Sequence, residues 1–259
     1  MRILVVGMGL IGGSICKSIK AATSHAVYGC DVQQAVLDDA ITDGAIDGTG
    51  TMTDDTYDMI ILCLHQRIAI QMVQEALPKI PAGTILVDTC GLKGRMVRDL
   101  TYRCRKAGVR YVGTHPMAGR EKNGYYASIP NLFQNANLIV TPVDGTDEAA
   151  LDTVKELADQ MGFGKIVTAT PMWHDNMIAY TSQLAHVVSS SYVKDFCMDD
   201  ALSFSGGSFQ DMTRVATMDE SMWAALFLDN RDNLLYHLDL LIENLTDYRD
   251  ALKPVSYTH

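Results

Sequence analysis

Arg2-Ile3-Leu4-Val5-Val6-Gly7-Met8-Gly9-Leu10-Ile11-Gly12 is the stretch that decides how the chain is read. A short apolar run leads straight into GxGxxG, and an amphipathic helical pattern over residues 11–22 follows at once. A second strand pattern, residues 26–30, ends beside Asp31. Isolated GxGxxG loops arise by chance, but here strand, helix, second strand and terminal carboxylate all fall at the spacing of a dinucleotide-binding βαβ unit. In such a unit Gly7 permits the tight turn, Gly9 lets the main chain approach a pyrophosphate, and Gly12 lets helix and strand pack closely. The helix start, with Leu10 and Ile11, offers unpaired amides to the phosphates. A carboxylate at Asp31 suits a ribose diol and repels a 2′-phosphate, and Val32, Gln33 and Gln34 bring no arginine to receive one. The residues therefore favour NAD over NADP; a plain turn residue at strand end is the alternative for Asp31.

Outward from this unit, strand patterns at residues 59–64, 84–87, 109–112, 137–141 and 165–169 alternate with helical patterns at 33–42, 68–78, 92–107 and 147–161. Nearly continuous apolar strands separated by helices imply a mostly parallel sheet covered on both faces. After Pro171 strand signals cease, and residues 173–196, 199–203, 210–216 and one long stretch from 220 to about 252 read as helix. The expected fold is an α/β Rossmann-type domain over residues 1–170, followed by an all-α domain over 171–259. On the last helix Trp223, Phe227, Leu234, Leu238, Leu241, Leu245 and Tyr248 recur at three- and four-residue spacing. A stripe that long calls for a covering partner and predicts a homodimer; packing onto its own domain is the alternative.

Bulk properties narrow the class. A formal net charge of −10 argues against a nucleic-acid binder, which needs a concentrated excess of Lys and Arg. An apolar content of 47% and a charged content of 20% are those of a soluble globular chain. No run reaches the roughly 18 apolar residues of a membrane span, and the glycines from Gly7 onward interrupt any signal-peptide pattern. The 6 cysteines form no CxxC, so a reduced cytoplasmic protein is expected. The scattered histidines suggest no metal site.

Three segments are too polar and glycine-rich for the core elements around them: residues 88–94, 113–124 and 181–186. The first two follow strands, at the carboxyl edge where open α/β sheets bind ligands. In the third, Ser182 and His186 are four apart and share a helix face. His115 precedes a proline and reads either as a turn residue or as a proton acceptor, since an imidazole with a pKa near 6.5 titrates close to neutrality. His186 reads as a pocket group or a core histidine, and Arg214 as a surface charge or an anion ligand. His174 and Asp175 read as polar residues at a helix start, and Lys93 either approaches the cofactor or caps a helix.

These segments together resemble one family. GxGLIGGS (7–14), DxxxxK (88–93), HPMAGxEKxG (115–124), NLIVTP (137–142), HDxxxAxxSxLxH (174–186) and FQDMTRVA (209–216) are similar, over nearly the whole chain, to the prephenate dehydrogenases and their relatives acting on arogenate. The resemblance implies NAD-dependent oxidative decarboxylation of a small cyclohexadienol in tyrosine biosynthesis. It implies that His115 accepts the proton of the ring hydroxyl and that Arg214 binds the carboxylate of the pyruvyl side chain. Ser182 and His186 would complete the pocket from the helical domain, with Glu121 and Lys122 at its mouth. No regulatory segment is expected on either side, so feedback by tyrosine would act by competition.

The departures from the family pattern concern the substrate's surroundings. Gly91 stands where a serine supporting the histidine is common, leaving Thr89, Cys90 or a water as the substitute. Gln183 replaces a second histidine, Ala185 a proline, and Arg120 a small hydroxyl residue. His65 stands where proline is frequent, as a strand-end turn or a cofactor contact. Two readings outside the family are disfavoured. A β-hydroxyacid dehydrogenase needs a lysine on the first long helix of its second domain, and residues 173–193 contain none. A non-catalytic NAD sensor would not need His115, His186 and Arg214.

Overall fold

The computed structural model describes residues 1–53, 56–120 and 122–253, apart from the side chains of Asp199 and Leu202. It divides into two compact units, Met1–Met172 and Trp173–His259.

In the first unit β1 (Arg2–Val6), β2 (Ala26–Cys30), β3 (Gly48–Thr49), β4 (Met59–Leu62), β5 (Ile85–Asp88), β6 (Arg110–Pro116), β7 (Asn137–Val140) and β8 (Lys165–Thr168) share one sheet. Its order is β3-β2-β1-β4-β5-β6-β7-β8. All neighbours are parallel except β6 and β7, so this is the mostly parallel α/β sheet the sequence implies. The helices α1 (Leu10–Ala22), α2 (Gln34–Thr42), α3 (Gln66–Ala76), α4 (Gly94–Lys106) and α5 (Glu148–Gln160) return the chain between strands. Alternate strand residues feed two cores. Ile3, Val5, Ile61 and Val87 pack with Ile15 and Ile19 of α1 and Val154 of α5, while Leu4, Leu62 and Leu86 pack with Val73 of α3 and Leu100 of α4. Burial on both faces explains why the strands read as unbroken apolar runs.

The first unit departs from the sequence reading most at β3, which no strand pattern marked, and at β6. β3 consists of Gly48 and Thr49 alone, too short to show alternation. β6 continues through the HP of HPMAG to Pro116, because Thr114, His115 and Pro116 find antiparallel partners in Val140, Ile139 and Leu138. Pro116 has no N–H to give the ladder, and the Met117 amide just beyond it donates to the Asn137 carbonyl (2.8 Å). His115 is thus a strand residue rather than the first residue of a loop.

The second unit is all helical. α6 (Pro171–Ile178) runs through a widened π turn, Ala179–Gln183, into α7 (Leu184–Tyr192). Then come α8 (Met198–Ala201), α9 (Gly207–Thr213), a 3-10 turn Arg214–Ala216, α10 (Glu220–Asp229) and α11 (Arg231–Ala251). The single long terminal helix expected from periodicity is broken at Asn230, whose backbone (φ −123°, ψ 24°) leaves the helical region. The reason is tertiary: the Asn230 amide group serves partners elsewhere in the unit, a competition to which Asn is prone. The small core gathers Ala179, Leu184 and Leu234, with Phe227, Leu238 and Leu241 against them. Leu245 and Tyr248, further along the stripe, are exposed. Among the described residues no helix is long and apolar enough to cross a membrane.

Candidate active-site groups in the two units

The glycine loop has the geometry its sequence requires. Gly7 sits at φ +94°, a conformation side-chain-bearing residues rarely adopt, and a Cβ there would lie 2.5 Å from the Cys63 carbonyl oxygen. A Cβ on Gly12 would lie 1.9 Å from the Gly7 carbonyl oxygen. At Gly9 an added Cβ would meet nothing within 4 Å, so the main chain is bare on that side. Gly9 also begins α1 without a side-chain cap, which leaves the first helical amides, from Leu10 and Ile11, to an anion. Asp31 follows β2 and accepts backbone N–H bonds from Met8 (2.7 Å) and Gln33 (2.9 Å). Its carboxylate is fixed at the end of the loop with lone pairs to spare. The cradle fits a dinucleotide.

The parallel ladders of β1, β4, β5 and β6 end at one level, with Val6, Leu62, Asp88 and Gly113 in register. Gly7 follows β1 there, and β6 continues past that level with Thr114 and His115. Beneath this edge lies an ion pair that the sequence reading did not foresee. Lys93 and Asp88 are both fully buried. The Lys93 ammonium donates to Asp88 Oδ1 and to the carbonyl oxygen of Thr114. Asp88 also accepts from the Tyr111 hydroxyl (2.7 Å) and the Cys90 amide (2.9 Å), and Thr114 Oγ1 donates to the Asp88 carbonyl (2.6 Å). Burial, and then the Asp88 charge, pushes the Tyr111 hydroxyl well above its ordinary pKa. Lys93 stands at the start of α4, and its side chain makes no capping hydrogen bond there. The signal for the pair was an Asp ending a fully apolar strand, five residues before a Lys.

The residues around Gly91 are engaged elsewhere. Thr89 Oγ1 donates to the Leu62 carbonyl (3.0 Å), and Cys90 Sγ contacts the Leu64 carbonyl (3.4 Å). Burial raises both neighbouring thiols, Cys63 to about 12, so neither is a thiolate near neutrality. His65 is the exposed residue that starts α3. Arg120 does not add a loose charge, since its guanidinium holds the Ala127 carbonyl (3.0 Å) and pins the loop after β6. Glu121 lies outside the described residues.

In the second unit the Ser182 carbonyl accepts from His186 Nδ1 (2.9 Å), which leaves Nε2 as the acceptor of a neutral ring. The imidazole stacks on Trp223, ring centroids 3.7 Å apart. Both Ser182 and His186 are half-buried. The turn carrying Arg214 packs on α7, the helix of His186, and Arg214 itself is exposed. His174, read from sequence as a helix-start residue, is instead buried, with Nδ1 2.8 Å from Asp175 Oδ1. Its signal was the i, i+4 spacing to Ile178, also buried. The side-chain amide of Asn230 donates to the Asp175 carbonyl and to Gln183 Oε1, each at 2.8 Å, while Gln183 donates to the Leu226 carbonyl (2.9 Å).

Residues 15–168 match the family model described as the nucleotide-binding domain of prephenate dehydrogenase, and residues 170–257 match that of its dimerization domain. The chain belongs to the prephenate dehydrogenase family. Among family relatives, a cyclohexadienyl dehydrogenase of Zymomonas mobilis is 31% identical over 97% of this chain and 88% of its own. Among solved structures, the prephenate dehydrogenase of Aquifex aeolicus in complex with hydroxyphenyl propionate and NAD+ matches with a TM-score of 0.85 and 28% identity, over 96% of this chain and 90% of that one. A Synechocystis arogenate dehydrogenase matches with a TM-score of 0.81 and 25% identity, over 95% and 90%. As in the rest of the prephenate dehydrogenase family, the first unit here is the nucleotide-binding part.

Proposed function

We propose that the protein is an NAD-dependent prephenate dehydrogenase, converting prephenate to 4-hydroxyphenylpyruvate with loss of carbon dioxide. One observation carries the reading: His115 extends just beyond the point where β6 leaves β5, at the sheet edge that also holds the glycine loop. Gly7, Gly9, Leu10, Ile11 and Gly12 would cradle the pyrophosphate of NAD and Asp31 its ribose. The cofactor would supply the hydride acceptor for the ring carbon bearing the hydroxyl. His115 takes a hydrogen bond and then the proton from that hydroxyl. Loss of carbon dioxide makes the ring aromatic, so the remaining work is orientation. Arg214 holds the side-chain carboxylate in a charge-assisted fork, and Ser182, His186 and Glu121 complete recognition.

Arogenate dehydrogenase activity is the second reading. Asp211, one helical turn before Arg214 and exposed, would attract the amine that distinguishes arogenate. The test is NADH formation with prephenate and with arogenate, each with NAD and NADP. Turnover with prephenate and NAD supports the proposal, turnover confined to arogenate supports the second reading, and no turnover with either sinks both.

The protein acts as a homodimer through α11, on which Ile242 is 52% exposed, Leu245 57% and Tyr248 73%. Faces of this kind on a match to a dimerization domain support that state. A monomer at micromolar concentration in sedimentation would refute it. All six cysteines are free thiols, which suits a reducing cytoplasm.

A further inference from the structure

We propose that Lys93 is a positioning residue for His115, acting through the peptide bond that joins Thr114 to it. The inference rests on His115 being the proton acceptor. The parallel ladder between β5 and β6 ends at Asp88 and Gly113, and from Thr114 onward β6 pairs only with β7 among the described residues. On the β5 side, what holds the strand beyond that point is the Thr114 carbonyl on the Lys93 ammonium, together with the Thr114 hydroxyl on the Asp88 carbonyl. The carbonyl that Lys93 grips belongs to the same planar peptide as the His115 nitrogen. Rotation of that plane would swing the imidazole.

Stability alone does not account for this arrangement. Burying two opposite charges costs heavily in lost hydration, and well-packed apolar side chains of similar volume commonly serve a fold as well or better. What the ion pair supplies is direction. Asp88 is fixed by the Tyr111 hydroxyl and the Cys90 amide, Asp88 in turn fixes the Lys93 ammonium, and the ammonium fixes the carbonyl before His115. The chain of bonds runs from the core of β5 and β6 to the one peptide whose orientation matters for proton transfer. Nearer the edge, the side chains of Thr89 and Cys90 are turned to the carbonyls of Leu62 and Leu64.

The test replaces both charges at once, Asp88→Asn with Lys93→Met, in the full chain with NAD. Expected is a folded protein that binds NAD and prephenate within about threefold of wild type, with kcat lower by about tenfold or more, since small misplacements of a catalytic group have effects of that order. The imidazole resonance of His115, assigned by its loss in His115→Asn, should move, and the acid limb of the kcat/KM pH profile should shift with it. Unchanged kcat and an unmoved His115 resonance, with only a lower melting temperature, would overturn the inference. Lys93→Met alone, in which Asp88 keeps Tyr111 and Cys90 as donors, is judged by the same measurements, and failure of both variants to fold also counts against a positioning role. His115→Asn separates the two levels. If it retains turnover, the reading of His115 fails; if it is inactive while the double variant matches wild type, only the role of Lys93 fails.

Discussion

The side-chain amide of Asn230 reaches the carboxamide oxygen of Gln183 over 2.8 Å, tying the break between α10 and α11 to the π turn that contains Ser182. The same amide group holds the Asp175 carbonyl, and Asn230 Oδ1 accepts from Asn233. Asn230→Ala removes the partner of three polar groups, the buried Gln183 Oε1 and the part-buried Asp175 carbonyl and Asn233 amide. A stability loss of about 1–3 kcal/mol is expected, read as a lower denaturant midpoint with unchanged slope. An unchanged midpoint would show that the network contributes nothing net.

His115→Asn keeps the size and polarity of the side chain but cannot take a proton at neutral pH. Turnover should fall by about 10²- to 10⁴-fold while NAD still binds, as followed by quenching of protein fluorescence. Turnover within a factor of two of wild type would remove His115 from the chemistry.

Arg214→Gln retains hydrogen bonding without charge or fork geometry. Loss of a charged hydrogen bond of about 1.5–3 kcal/mol should raise KM for prephenate roughly 10- to 100-fold, with kcat less affected. A fall in kcat at unchanged KM would contradict a binding role.

The two loop glycines should separate stability from cofactor binding. Gly9→Ala adds a methyl that touches no protein atom within 4 Å, so melting should be unchanged while NAD affinity drops. Gly12→Ala drives its methyl onto the Gly7 carbonyl and should lower both. Equal effects of the two substitutions on melting would contradict this geometry.

Asp47 accepts from the Lys20 ammonium (2.6 Å) and from the Val27 amide (2.8 Å), and these bonds, Lys20 first, hold its carboxyl below the ordinary range. A depressed carboxyl contributes stability that is fully present above its unfolded pKa, near 4, and is lost as pH falls through the lower folded value. Asp47→Asn should therefore melt below wild type at neutral pH, and the gap should close as the medium is acidified below about pH 4. A gap that stays constant to pH 3 would rule out the charged form as its source.

How much of this was legible in the sequence depended on how local the cause was. β1 and β2 have the bounds read from their apolar runs, because glycine and aspartate punctuate them on the spot. The extension of β6 through His115 was hidden, since Gly113-Thr114-His115-Pro116 has turn-like composition and becomes strand only because β7 offers partners from a distant segment. The break at Asn230 was hidden for the same kind of reason: one asparagine in a helical pattern looks like any surface polar residue until Asp175 and Gln183 claim its amide. Motif spacing singled out Gly7, Gly9, Gly12, His115, Ser182 and His186, and the family resemblance added Arg214. Spacing said nothing of the pairing of Lys93 with Asp88, because helix or strand periodicity does not connect residues five apart across a loop.

β6 and β7 each have a parallel partner on one side and an antiparallel partner on the other, and the last three residues of β6 belong wholly to the antiparallel ladder between them. β7 and β8 thus join the nucleotide-binding sheet through β6. The backbone of His115 lies at that seam, opposite Ile139, and any local opening that detaches β7 would release the histidine before it reached the glycine loop. With the proton-transfer role proposed for His115, loss of reactivity on mild heating would then precede loss of cofactor binding, because the histidine and the glycine loop are anchored in different ladders of one sheet.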